Sequence, residues 1–268
     1  MTAGDVRVFA AGASVGLLGG MIGLGGAEFR LPLLIGLFGF TALYAVILNK
    51  AMSLVVVVTA LPARFAAVSY ADLSPHWNVV VNLLAGTLLG AWLGASAATQ
   101  MRTPTLYRLL AILLALIAVV LVVTHLGTVD DSGLDDGPLL IAAGIGAGLL
   151  IGAVASVMGV AGGELLIPTI MLLYGVNIKI AGSLSLMVSL PTMIVALARY
   201  SRDGSFIVLS QHRRFVATMA VGSIIGTVIG GLLVGVVSDS VLIPALAALL
   251  LASAVKVWRH QTPAGLPT

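Results

Sequence analysis

The chain alternates long apolar stretches with short polar breaks. The apolar stretches run Val8 to Leu24, Leu31 to Phe40, Leu43 to Tyr70, Val79 to Ala98, Leu106 to His125, Pro138 to Ala161, Leu165 to Tyr174, Ile180 to Leu197, Phe215 to Val237 and Val241 to Val257. A helix needs roughly 20 apolar residues to cross a hydrocarbon core of about 30 Å. Ten stretches therefore predict an all-α polytopic membrane protein. Two of them, Leu31 to Phe40 and Leu165 to Tyr174, are too short for a straight span, and each follows a glycine cluster. Counting each short stretch together with its neighbour as one crossing gives an eight-span alternative.

The two short stretches hold matching places in a repeat. MIGLGGAEFRLP ends at Pro32 and VMGVAGGELLIP ends at Pro168, 136 positions later. At the same offset Gly12 meets Gly148, Gly16 meets Gly152, Gly23 meets Gly159, Gly26 meets Gly162, Glu28 meets Glu164, Ser53 meets Ser189 and His76 meets His212. Gly86, Gly90 and Gly94 meet Gly222, Gly226 and Gly230. The expected organisation is a first membrane repeat over 1–130, an acidic hinge at 131–136, and a second repeat over 137–268. Five segments per repeat is an odd number, so the halves are expected to be inverted in the membrane, a common transporter plan.

Charge fixes the expected orientation, because cytoplasmic loops retain Lys and Arg. Arg102 and Arg108, then Arg199, Arg202, Arg213 and Arg214, then Lys256, Arg259 and His260 mark the inner side. Both termini are expected in the cytoplasm, and the hinge within Asp130 to Gly137 outside. The chain opens without a basic leader region or small-residue cleavage site, so its first apolar stretch is expected to stay.

Composition narrows the class. The chain is 60% hydrophobic and 9% charged, against about 25% charged in soluble domains. That balance excludes disorder, nucleic-acid partners and most soluble enzymes. With 13 Lys and Arg against 10 Asp and Glu, no basic tract stands out. The absence of cysteine removes disulfide, thiol and cysteine-metal chemistry. His76, His125 and His212 have no metal-ligand spacing, so no metal or cofactor is expected.

Candidate chemistry begins at the glycines. Gly23, Gly25 and Gly26, and Gly159, Gly162 and Gly163, are expected to interrupt helices, with new short helices starting at Ala27 and Glu164. Unwound backbone at membrane depth needs protein or water to satisfy it. A helix start offers free N–H groups and the positive end of the dipole, which suits an anion. Bulk at these glycines is expected to act on binding before folding. The alternative is that they permit close helix packing.

GLGGAEFRLP and GVAGGELLIP, with the repeated hydropathy over nearly the whole chain, resemble the sulfite exporter TauE/SafE family of membrane permeases. The second copy departs in having Ala161 where the first has Gly25. The resemblance implies transport of a small sulfur-containing or organic anion such as sulfite or a sulfonate.

Polar residues within spans usually face a bundle interior. Asn49 and Ser53 lie four apart on one helix face, as do Ser185 and Ser189 at the equivalent positions. They could donate to sulfonate oxygens, or the serines could bond their own backbone. Lys50 has Leu186 as its counterpart and Arg30 has Leu166. Each could neutralise an anion, and Lys50 could instead snorkel to the interface. Glu28 and Glu164 are either carboxylates favoured by a helix start or a proton-coupling pair. Arg64 and Arg199 are interface anchors or gates. The GxxxG series serves packing within the chain or in a homodimer.

No Walker A or H-E-x-x-H motif appears. The reading is a secondary transporter in the inner (cytoplasmic) membrane, working by alternating access, with a small anion and the lipid bilayer as partners. The alternatives are a passive anion channel and an intramembrane enzyme. The latter would need convergent catalytic groups, and the polar residues here are mostly serines without a base nearby.

Overall fold

The computed structural model describes residues 3–22, 26–67, 70–126, 137–202, 204, 206–232 and 239–259. The order is α1 (Ala3–Ile22), α2 (Ala27–Gly36), α3 (Ala42–Ala67), α4 (Tyr70–Leu73), a 3-10 turn (Ser74–His76), α5 (Trp77–Gln100) and α6 (Thr103–Leu126). It continues with α7 (Pro138–Met158), α8 (Gly163–Tyr174), α9 (Ile178–Ser201), α10 (Ile207–Gln211), α11 (Arg213–Leu232) and α12 (Asp239–Trp258). Among the described residues there is no strand.

Local chemistry sets several boundaries. Gly137 leads into Pro138 at the first position of α7, where a missing N–H costs nothing. Asn177 caps α9 by accepting from the Ile180 amide at 3.1 Å. α7 ends at Gly159 in the left-handed region, with the Gly159 and Val160 amides folding back to carbonyls of Ala155 and Ser156. Each of the ten apolar stretches overlaps one of the longer helices. α4 and α10 were not expected, since helices of four and five residues are too short to carry a periodic pattern.

Among the described residues, five helical stretches can cross a membrane by length and composition: Ala42–Thr59, Ala71–Gln100, Pro138–Met158, Ile180–Ser201 and Arg213–Gly230. Shorter apolar helices cover Thr103–Val119, Gly163–Tyr174 and Ala247–Trp258. Leu89, Leu93, Leu139, Leu150, Val228 and Leu232 are exposed, while Arg30, Asn49, Lys50, Ser53 and Ser223 are buried. Polar groups inside and leucines outside is the arrangement for a hydrocarbon solvent.

The helices pair in a mutual pattern. α1 packs on α11 and α7 on α5, α3 on α11 and α9 on α5, α2 on α12 and α8 on α6, α2 on α3 and α8 on α9. Glycines set the closest crossings. A Cβ at Gly12 or Gly16 would collide with the carbonyl oxygen of Met219 or Ser223, and one at Gly222 or Gly226 with that of Phe9 or Ala13. At the other crossing Gly148 and Gly152 lie on the carbonyls of Leu83 and Thr87, and Gly86 and Gly90 on those of Ile145 and Leu149. Every partner in the second set is the first set's partner displaced by 136 positions. Both crossings run parallel, and the Asp5–Arg214 ion pair at 2.6 Å fastens the starts of α1 and α11. Packing at Gly86, Gly90, Gly94, Gly222 and Gly226 is thus within the chain.

Candidate functional site

Two turns with the same geometry open α2 and α8. Gly26 has φ 71° and ψ 18°, and Gly162 has φ 90° and ψ 5°. Both lie in the left-handed region, which glycine enters without a Cβ penalty. Neither helix start has a side-chain cap. The expected start of the second short helix shifts by one residue, from Glu164 to Gly163. Pro32 and Pro168 lie inside these helices and have no N–H to give to the carbonyls four residues earlier, those of Glu28 and Glu164. Gly23 and Gly25 lie outside the described residues.

A buried polar cluster joins the turns. Asn49 donates through Nδ2 to the carbonyl of Ala27, at the start of α2, at 3.0 Å, and to that of Met158, at the end of α7, at 3.4 Å. Lys50 donates through Nζ to the carbonyls of Ala155 at 2.9 Å and Val160 at 2.7 Å. Two adjacent residues of α3 thereby hold the second glycine turn in place. Lys50 is 0% exposed, so it does not snorkel to an interface.

Arg30, also 0% exposed, points into the same region. Its Nη1 donates to Asn49 Oδ1 at 3.3 Å and Ser53 Oγ at 3.2 Å, and its Nη2 donates to Ser223 Oγ at 3.2 Å. The α1–α11 crossing supplies Ser223, because the Gly16 contact brings that stretch of α11 close.

Glu28 and Glu164 are buried in the first turns of α2 and α8. No N–H or O–H donor reaches Oε1 of Glu28 or either oxygen of Glu164 among the described residues. The two carboxyl groups are neighbours in the buried centre. Carboxylates only accept, so a hydrogen bond between them forms only when one holds a proton. Arg30 is the charged neighbour of Glu28, and Lys50 that of Glu164.

The serine pairs, symmetric in sequence, behave differently. Ser53 receives Arg30, whereas Ser185 donates to the Gly182 carbonyl at 2.9 Å, within its own helix. Ser189 Oγ is buried without a partner among the described residues. Gly163 is the half-buried first residue of α8. Arg199 Nε donates to Ser96 Oγ at 2.7 Å, and its guanidinium lies 5.8 Å from the centre of the Trp92 ring, so it packs on α5. The side chain of Arg64 lies outside the described residues.

Two contributors were absent from the sequence reading. Ser223 and its counterpart Thr87 each follow a glycine of the GxxxG series, and a search for hydroxyls repeating at the offset finds them. Thr87 accepts from Thr192 Oγ1 at 2.9 Å. No group of three metal-ligating side chains exists among the described residues.

Long apolar helices, apolar exteriors and a buried ionisable centre define a multi-pass membrane protein of the permease type. Residues 8–257 match the family model described as Sulfite exporter TauE/SafE. The chain belongs to that family and is a membrane permease of an anion-exporting kind, not an enzyme. No curated protein and no solved structure matches it.

Proposed function

We propose that the protein carries a small sulfur-containing or organic anion, such as sulfite or a sulfonate, across the inner membrane by alternating access, coupled to a proton. The observation that carries this reading is the meeting of both glycine turns on one buried polar cluster, tied across the halves by Asn49 and Lys50. The anion would lie against the turns at Gly26 and at Gly159, Gly162 and Gly163, with Gly23 and Gly25, outside the described residues, as further expected contacts. Asn49, Lys50, Ser53, Ser185 and Ser189 would line it. Uncapped N–H groups at two helix starts favour a negative charge there.

The repeats 1–130 and 137–268 would be inverted about the cluster, with the hinge 131–136 outside and both termini in the cytoplasm. Support comes from the register-matched crossings α1–α11 and α5–α7, since a two-fold relation between halves generates each contact from the other. Rocking of one half against the other would expose the cluster to each side in turn. Arg64 and Arg199 remain the gate or anchor candidates.

Glu28 and Glu164 would carry the proton. A hydrogen bond between the two carboxyl groups would need one proton, and protonation would leave the Arg30 and Lys50 side of the centre free to hold an anion. In proteoliposomes, sulfite or methanesulfonate uptake should saturate and show countertransport. A flux that rises linearly with concentration and shows no countertransport would identify a channel instead. Glu28→Gln with Glu164→Gln should keep anion binding and abolish acceleration by a pH gradient. Unchanged acceleration would reduce both residues to helix-start carboxylates.

A further inference from the structure

Arg30 stands outside the duplication, although the frame around it is duplicated. Its counterpart is Leu166, while Asn49 corresponds to Ser185, Ser53 to Ser189 and Ser223 to Thr87. In the first half the frame closes on the guanidinium. In the second it closes on itself, with Ser185 bonded to its own helix, Thr87 accepting from Thr192, and Ser189 Oγ unused. Among the described residues there is therefore one cationic cradle of this build.

The cradle leaves part of the buried guanidinium without a partner among the described residues. Arg has five N–H donors in one plane. Three are taken, two from Nη1 by Asn49 and Ser53 and one from Nη2 by Ser223. Nε is buried and has no partner among the described residues. Nε and Nη2 lie side by side, and that edge is the one that grips two oxygens of an oxyanion. The three hydrogen-bond partners of Arg30 are neutral and fix its plane, and its charged neighbour is Glu28, so its charge stands uncancelled when Glu28 holds a proton. A buried cation is costly, and in a membrane it marks a substrate path by default. Lys50 is less suited to the task, because two of its three donors are committed to backbone carbonyls.

We propose that Arg30, held by Asn49, Ser53 and, from α11, Ser223, is the receptor that grips one oxyanion through its Nε and Nη2 edge. This rests on the transport reading above and adds to it the residue that sets specificity. A fork of two parallel donors matches sulfite, a sulfonate or a carboxylate, each of which presents two oxygens. It does not match chloride, a single round atom. Because Ser223 belongs to the second half, a shift of α11 against α2 would loosen the fork and release the anion.

The test uses the purified full chain in detergent, with methanesulfonate binding followed by calorimetry and chloride as competitor. The wild type should bind methanesulfonate with weak competition from chloride. Arg30→Lys keeps the charge and loses the fork. It should weaken methanesulfonate by about tenfold or more, the value of one charge-assisted hydrogen bond, and make chloride a better competitor. Ser223→Ala leaves the cation in place and unfastens Nη2, and should weaken binding severalfold with the same loss of selectivity. A purely structural Ser223 would not move the selectivity. Wild-type affinity and selectivity in both variants would overturn the role of Arg30 and leave the transport reading standing. A wild type that binds none of methanesulfonate, sulfite and acetate would overturn the transport reading, and this proposal with it.

Discussion

Lys50 and Arg30 are both fully buried cations from the first half, and both have leucine counterparts in the second. Their partners separate them. Lys50 spends its donors on the carbonyls of Ala155 and Val160 and so clamps a backbone turn, while Arg30 spends its donors on side chains and has no partner at Nε among the described residues. Lys50→Met should leave the Val160 carbonyl without its donor, while that of Ala155 still accepts from the Val160 amide, and lower stability by about 2 kcal/mol, since an unsatisfied buried acceptor costs about 1 to 3 kcal/mol. Thermal unfolding in detergent measures this, and an unchanged transition would remove Lys50 from the clamp. Sequence singled out both cations through their missing counterparts. It could not tell which group each would meet, because those partners lie 105 and 193 positions away in the chain.

Glycine works at the level of elements, and the two equivalent turns are not equally tolerant. A Cβ at Gly26 would run into the carbonyl oxygen of Val15 on α1, whereas one at Gly162 meets the Ala155 Cβ at 3.1 Å. Both positions have positive φ, which costs a non-glycine residue roughly 1 to 2 kcal/mol. Gly162→Ala should therefore lose about that amount in thermal unfolding and remain monodisperse, while Gly26→Ala loses more because α1 must move. Equal losses would mean that the Val15 contact yields freely. This revises the expectation that bulk at either glycine acts on binding before folding: at Gly26 it acts on folding first. The left-handed turns were legible as glycine clusters. The difference between them depends on how close α1 passes, which no local pattern encodes.

At the scale of the whole molecule, the inverted plan fixes the membrane side of each half. The inverted plan puts Ser132, in the acidic hinge, outside, so Ser132→Cys should be labelled by an impermeant thiol reagent in intact cells. The chain has no other cysteine, which makes the signal specific. Labelling only after lysis would restore the eight-span arrangement. The same experiment at the arginine-bearing end, with Arg213→Cys, should give the opposite result, since Lys and Arg stay in the cytoplasm.

Hydropathy alone determined that the chain is a helical membrane protein, because a span must be apolar along a fixed length and that property is local. The glycine turns and the residues Glu28, Glu164 and Ser53 were readable for a related reason, since each has a like residue at one offset, and Asn49 was readable as a polar residue within a span. Three matters waited for the tertiary structure. The glycine series proved to be α1 on α11 and α5 on α7 rather than a contact between copies, Lys50 proved to be a backbone clamp, and Arg30 with Ser223 proved to be one cradle. All three depend on which helix faces which. In hydrocarbon that choice is made by close van der Waals fit and hydrogen bonds between distant segments, with little hydrophobic pattern to announce it.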